Sequence, residues 1–172
     1  MTTEQTAIDF VAMVRARDYR RFLAIQVAPR AARPSLYALT AFASEMAHIP
    51  HHVNEPLAGF MRYAWWRERL EAMQAGEPPR PHPLLQELAP WLAVHPQGYG
   101  TLLGMIETGQ YLLEDPSDAT RHDARDALLD EAWSMHLGED HARVKRALDG
   151  LPKERRISPL YIMRMVINSL RF

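Results

Sequence analysis

The chain has 172 residues, 47% of them hydrophobic, which is enough for one domain with one continuous core. Its 20 basic and 21 acidic side chains leave a formal charge of -1, so the composition gives no overall attraction to nucleic acid or to an anionic membrane. The absence of cysteine excludes a disulfide framework, a thiol nucleophile and a thiolate metal site.

The first ten residues, MTTEQTAIDF, lack the features of a secretory signal or an arginine-rich transit peptide. No apolar run approaches the roughly 20 residues that a membrane-spanning helix needs. We therefore expect a cytoplasmic protein with no transmembrane segment, and peripheral contact with a membrane stays open.

Three helices are predicted in the first third of the chain. The first is capped by Thr3 or Thr6 and ends near Arg17, because apolar residues recur there at helical spacing. The second covers residues 18–28 and is closed by a proline. The third covers residues 34–49, with an apolar face beside a polar stripe. That stripe consists of Tyr37, Ser44, His48 and His51.

A fourth helix is predicted from Pro56 to Ala75, where Gly76 ends it. Its apolar residues fall on two sides, as helical projection shows. One side carries Leu57, Phe60, Met61, Ala64, Trp65 and Ala72, and the other carries Tyr63, Trp66, Leu70 and Met73. Two apolar faces predict a helix that lies between layers.

The rest of the chain also reads as helix. Predicted segments cover residues 84–93, with an interruption at Pro90, then 99–113, 119–136 and 139–148. A last apolar helix, YIMRMVINSL, follows a cap at Ser158 and Pro159. No strand pattern and no repeat occur, so we predict an all-α, single-domain helical bundle over residues 1–172.

Three histidines, His48, His51 and His52, have a spacing at which imidazoles on one helix reach a single metal ion. However, Pro50 should end or kink that helix, no thiol is available and no H-E-x-x-H sequence occurs. We therefore interpret these histidines as polar residues at a helix end and predict no metal and no cofactor.

Asp123, Asp126 and Asp130 share one helical face, as paired carboxylates for magnesium would. The apolar residues of the same helix project away from this stripe. We therefore predict that the three carboxylates form a solvated face.

Two further sets of residues leave a binding role open. Arg62 and Arg69 either grip an anionic group or line a wet helix edge. An aromatic set either lines a pocket for a long apolar ligand or forms the core. That set is Phe22, Tyr37, Phe42, Trp65 and Trp66.

Several short motifs stand in an order that resembles the squalene/phytoene synthases, in particular the divergent branch that includes the complex I assembly factor. They are YRRF at 19–22, AP at 28–29, Arg33, LYALTAF at 36–42, EPLAG at 55–59, RYAWWR at 62–67, HPL at 82–84 and MIE at 105–107, and the tail 141–170 is also similar. The resemblance implies an isoprenoid-synthase-like helical fold.

The departures from the family pattern concern its chemistry. Family synthases condense two prenyl diphosphates, and two aspartate-rich motifs hold the magnesium ions that assist diphosphate departure. Carried over by resemblance, the acidic positions of the first motif fall on Ala47, His48 and His51, and a family serine falls on Arg21. Residues 118–139 leave room for one helix where the family has several, so the segment with the second motif is expected to be missing from a truncated fold.

The resemblance and its departures together predict a catalytically inactive protein. We expect it to act by protein contact or self-association through an apolar surface, in assembly or maturation of a membrane or respiratory complex. The alternative is an isoprenoid-lipid binder, or a residual prenyltransferase that uses Glu45, Glu68 and Glu107. The candidate ligand or partner surface comprises Arg21, Phe22, Arg33, Tyr37, Phe42, Arg62, Trp65, Trp66 and Glu68.

Overall fold

The computed structural model describes residues 9–152, and within them it contains eight α-helices, short 3₁₀ turns and no strand. The helices are α1 Phe10–Arg17, α2 Tyr19–Ile25, α3 Arg33–His48, α4 Pro56–Gln74, α5 Pro83–Val94, α6 Gly98–Tyr111, α7 Ala119–Leu137 and α8 His141–Asp149. The 3₁₀ turns are Arg30–Ala32, Ile49–His51 and Gly138–Asp140. The prediction of an all-α helical bundle is confirmed.

Aspartate side chains begin three of these helices. The carboxylate of Asp9 accepts a hydrogen bond from the backbone N–H of Ala12 at 3.0 Å, and Asp18 accepts one from Arg21 at 3.0 Å. Asp118 caps α7 in the same way. Such caps satisfy donors that have no partner within the helix, which fixes where each helix starts.

The boundary between α2 and α3 is set by an arginine. The first helix ends at Arg17 as predicted, but α2 ends at Ile25, earlier than the predicted residue 28. The guanidinium of Arg33 donates to the carbonyl oxygens of Gln26 and Ala28, at 2.7 and 3.1 Å. These bonds hold the chain in a turn where helical propensity alone predicts further helix.

The predicted interruption of α5 at Pro90 was wrong, because the helix continues through it to Val94. Proline cannot donate to the carbonyl of Gln86. Both residues are exposed, so solvent can satisfy that carbonyl without breaking the helix.

Helix α3 is the centre of the bundle and contacts α1, α2, α5, α6 and α7. Every residue from Leu36 to Ala43 is buried, including Tyr37, which the sequence placed on a polar stripe. The Tyr37 hydroxyl is satisfied by the side-chain amide of Gln26 at 2.5 Å. Burial of this polar group is tolerated because it has a hydrogen-bond partner.

Among residues 9–152, helix α4 does not lie between two layers, so the prediction is not met by the described part of the chain. Its buried residues, Tyr63, Trp66, Leu70 and Met73, face α6 and the core. The opposite apolar side of its first turns is exposed. Gly76, with a φ of 94°, ends the helix as predicted. Of the two apolar faces of α4, one therefore packs against the core and the other is exposed.

Two predicted features, the cap at Thr3 or Thr6 and the last helix over 161–170, lie outside the described residues. Within residues 9–152, no helix combines the length and the apolar character needed to cross a bilayer.

Candidate functional site

Ala47, His48 and His51, which the resemblance aligns with the first acidic motif of the family, lie at the end of α3 and in the turn that follows it. They border a pocket of about 210 Å³ between α1, α2, α3 and α7, which we call the basic pocket. Its lining residues are Arg17, Asp18, Arg21, Ala43, Ser44, Ala47, His48, His51, His122, Arg125 and Leu129. Arginines and histidines from several elements therefore surround the place where the resemblance expects magnesium-binding acids.

Two carboxylates of α7 are held by neighbouring helices, so the prediction of a solvated acidic face was wrong for Asp126 and Asp130. Asp126 pairs with Arg21 at 3.1 Å and with Arg125 at 2.5 Å. Asp130 lies 3.2 Å from His141 of α8. The helix is turned relative to the projection, because its buried residues are Leu129, Ala132, Trp133 and Leu137. Asp123 is exposed, as predicted.

Arg21 is the link between α2 and α7. Its guanidinium pairs with Asp18 at 2.6 Å as well as with Asp126, and its side chain is only 13% exposed. Burial lowers the pKa of Arg21, but Asp18 and Asp126 outweigh it and raise that pKa. Burial likewise raises the pKa of Asp126, but Arg21 and Arg125 hold it below its usual value. The pairs therefore stay ionised near neutral pH.

The histidines form a stacked group at the α3 end of the pocket. The ring of His48 lies 6.3 Å from that of His51 and 5.4 Å from that of His52, between centroids. Nδ1 of His52 lies 3.0 Å from the carbonyl oxygen of His48, which holds the turn together. Burial, followed by Arg17, His52 and His51, lowers the pKa of His48. At neutral pH the His48 imidazole is therefore neutral.

The acidic groups near the pocket are engaged with arginine. Asp18 and Asp126 pair with Arg21, and Glu45 pairs with Arg17 at 3.0 Å. In the part of the chain that the structure describes, no three His, Cys, Asp or Glu side chains are grouped to hold a metal ion.

Replacing Asp126 with asparagine is expected to destabilise the fold by about 1–2 kcal/mol at neutral pH, because Arg21 then loses its partner on α7. This is less than for a fully buried pair, because the Asp126 side chain is 41% exposed. The pKa of Asp126 is lowered, so its stabilisation is present above its usual value of 3.8 and is lost as pH falls through the lower folded value. Urea unfolding from neutral pH down to about pH 3 measures both effects.

The matched control is Asp123→Asn on the same helix, because Asp123 is exposed and pairs with no basic side chain within residues 9–152. It should unfold like the wild type. Equal destabilisation by both substitutions, or a difference between wild type and Asp126→Asn that does not become smaller as pH falls below 3.8, would contradict the assigned role.

The other predicted site residues do not line one surface. Phe42 and Trp66 belong to the core, with ring centroids 5.4 Å apart, edge to face. Glu68 is exposed and pairs with Arg69 of the same helix. Trp65 is partly exposed and contacts Trp66.

The remaining candidates lie elsewhere. Phe22 is half-buried and stacks between Tyr19 and Tyr37, with centroid distances of 5.8 and 6.3 Å. Arg33 closes the α2 turn, and Arg62 is exposed on α4. Of the nine residues predicted as a ligand or partner surface, only Arg21 reaches the basic pocket.

Sequence reasoning missed four pocket residues with titratable side chains, Arg17, Asp18, His122 and Arg125. A signal was present in their spacing, because Asp18 with Arg21 and His122 with Arg125 are each three apart and therefore share a helical face. The sequence gives no sign that these two faces meet, since this depends on how α2 and α7 pack.

Comparison with known proteins agrees with the resemblance. The family described as squalene/phytoene synthase matches residues 14–130. The chain is similar to the protein named NADH dehydrogenase (ubiquinone) complex I, assembly factor 6, with 35% identity over 82 residues in Homo sapiens and 34% over 105 residues in Rattus norvegicus. These segments cover 48% and 60% of this chain but only 24% and 31% of the two relatives. No solved structure matches the chain.

Proposed function

The chain belongs to the squalene/phytoene synthase family, and from this premise we propose that it acts by protein contact in the assembly of respiratory complex I, without prenyl-transfer chemistry. Support for a role in complex I assembly comes from the similar proteins, which are named as complex I assembly factors. The observation that supports the loss of chemistry is the basic pocket, which is lined by Ala47, His48 and His51, the residues that the resemblance aligns with the acidic motif.

The chemical argument concerns charge. A diphosphate leaves readily only when its developing negative charge is neutralised, which magnesium held by carboxylates does in this kind of reaction. A methyl group at Ala47 and imidazoles at His48 and His51 do not hold magnesium as carboxylates do. The nearby carboxylates are already paired with arginines. The pocket therefore favours anions over divalent cations.

The family's second acidic motif has no counterpart in the proposed fold. Between residues 118 and 139 the structure has α7 followed by a 3₁₀ turn. We propose that this segment is shortened relative to the family and that residues 1–172 form one domain. Fewer helices over the core would leave apolar surface open to a partner.

Helix α4 offers such a surface. Leu57 and Met61 are 67% and 65% exposed, and Phe60 and Trp65 are 40% and 38% exposed. Their positions, i, i+3, i+4 and i+8, form one stripe along the first turns of the helix. Single exposed apolar residues are common, but a contiguous stripe of large ones is typical of a protein-binding surface.

Charge favours a protein over a membrane as the partner of this stripe. Arg62, Arg67 and Arg69 are balanced by Glu55, Glu68 and Glu71 in and beside α4. Helices that bind anionic membranes carry an excess of basic residues around their apolar face. The balance gives no such attraction, so a partner with a complementary apolar face fits better.

Purified protein incubated with farnesyl or geranylgeranyl diphosphate and magnesium is expected to yield no product above the background without protein. The physical reason is the absence of carboxylates at positions 47, 48 and 51. Extraction and mass spectrometry provide the measurement, with an active family synthase as the positive control. Formation of a squalene-type or phytoene-type product would contradict the proposal.

A second candidate, binding of an isoprenoid lipid, is favoured by one observation. An open groove of about 560 Å³ runs along α1 and α2, with Val11, Ala12 and Phe22 among its lining residues. The Arg15 guanidinium lies 5.7 Å from the centre of the Phe22 ring. Native mass spectrometry of protein from its own host separates the two functions, because a lipid adduct favours the binder and a heteromeric mass favours the contact protein.

A further inference from the structure

The basic pocket has a chemistry that the proposed protein contact does not use. Six of its eleven lining residues are arginine or histidine, and Asp18 is the single carboxylate among its lining residues. Its floor is formed by small or apolar side chains of Ala43, Ala47 and Leu129. At about 210 Å³ it is smaller than the roughly 300–1,000 Å³ typical of pockets for drug-sized ligands, so it suits a small ion.

The arginine charges at the pocket are matched by carboxylates. The pairs are Arg17 with Glu45 at 3.0 Å, Arg21 with Asp18 at 2.6 Å and with Asp126 at 3.1 Å, and Arg125 with Asp126 at 2.5 Å. Each guanidinium has five N–H donors, so pairing with one or two carboxylates leaves others available. The remaining N–H groups of the arginines can thus bind a further oxygen ligand. The positive charges of the arginines are already balanced by the carboxylates of Glu45, Asp18 and Asp126.

Imidazole groups provide the other polar atoms of the pocket. His48, His51 and His122 line the pocket, and His52 stacks on His48 just outside it. Burial, followed by Arg17, His52 and His51, lowers the pKa of His48, so protonating that ring is unfavourable without a counter-ion. A bound anion removes this penalty, so anion binding and protonation should favour each other.

We propose that the basic pocket binds a small oxyanion of the phosphate or sulfate type, without a metal ion, and takes up a proton on one of its histidines as the anion binds. Polar side chains line the pocket from three elements: Arg21 of α2, His48 and His51 at the end of α3, and Arg125 of α7. His122 also lines it, but its Nε2 already lies 2.9 Å from the carbonyl oxygen of Pro116. A tetrahedral oxyanion has oxygens that can accept hydrogen bonds from several sides. This inference is independent of the proposed protein contact.

The test uses the full chain and sodium sulfate, because sulfate keeps its charge throughout the pH range in which histidine titrates. Isothermal titration calorimetry is performed at about pH 5.5 and about pH 7.5, with sodium chloride added to equalise ionic strength. We expect affinity at least about tenfold higher at the lower pH, since uptake of one proton gives up to roughly tenfold per pH unit. Repeating the titration in buffers of different ionisation enthalpy should show proton uptake directly.

Variants locate the site. The double variant His48→Gln and His51→Gln should bind sulfate at least about tenfold more weakly at low pH and lose most of the pH dependence. The matched control is His52→Gln, which removes an imidazole from the same turn that does not line the pocket. Thermal unfolding of each variant, and the two single substitutions, show whether a loss of binding reflects a loss of fold.

Three outcomes would overturn the inference: no saturable sulfate binding by the wild type near pH 5.5, affinity that does not change with pH, or an equal loss in His52→Gln. Tight binding of magnesium alone would also contradict it. Inorganic phosphate and glycerol phosphate, compared at one pH, then show whether the pocket takes the free ion or an esterified phosphate.

Discussion

Replacing Leu57 and Met61 with serine is expected to abolish the function in assembly while leaving the fold intact. Both side chains are about two-thirds exposed, so the substitutions should change the free energy of unfolding by no more than about 0.5 kcal/mol each. If a partner covers the α4 stripe, losing two large apolar side chains costs about 2–4 kcal/mol of binding, or roughly thirtyfold or more in affinity.

The measurement is the amount of assembled complex I in a strain of the source organism that carries only the variant, read from native gels. Cross-linking mass spectrometry of the wild-type protein identifies which subunit contacts α4. Val94→Ser is the matched control, because Val94 is 72% exposed and apolar but lies on α5. Normal assembly with the α4 variant, or equal loss with Val94→Ser, would refute the assigned surface.

The largest effect on stability is expected from Gly109→Ala on α6. A Cβ atom at this position would lie 2.6 Å from two atoms of the Tyr63 side chain, the hydroxyl oxygen and the ring carbon Cε1. Tyr63 is completely buried, and its hydroxyl donates to the carbonyl oxygen of Met46 at 2.6 Å, so the ring has little room to move. Overpacking and loss of this hydrogen bond together should cost about 2–4 kcal/mol.

Urea unfolding measures the change, and Gly100→Ala on the same helix is its control. No heavy atom lies within 4 Å of a Cβ at Gly100, so that substitution should be neutral or stabilise by up to about 1 kcal/mol. If Gly109→Ala unfolds at the same urea concentration as Gly100→Ala, the close packing of α4 against α6 would be contradicted.

The fold was largely predictable because the helices are punctuated by local signals. Pro56 and Gly76 bracket α4 in the sequence, and they bracket it in the structure to within about two residues. Failures came where tertiary contacts override local signals. Arg33 binds the carbonyl oxygens of Gln26 and Ala28 just after the end of α2, and solvent exposure lets α5 pass through Pro90.

The candidate site was less predictable, since helical projection indicates which residues share a face but not which neighbouring helix that face meets. The projection placed Asp126 in solvent, whereas the structure places it against Arg21, more than a hundred positions earlier in the sequence. It likewise showed two apolar sides of α4 without showing that only one is covered. Both errors concern packing between helices, which no local pattern encodes.

The most direct test of the central proposal is the level of assembled complex I after deletion of this gene in its source organism. The proposal predicts that assembled complex I falls, that the wild-type chain restores it, and that squalene-type and phytoene-type products are unchanged. Unchanged complex I, or loss of such an isoprenoid product that the chain restores, would contradict a role through protein contact.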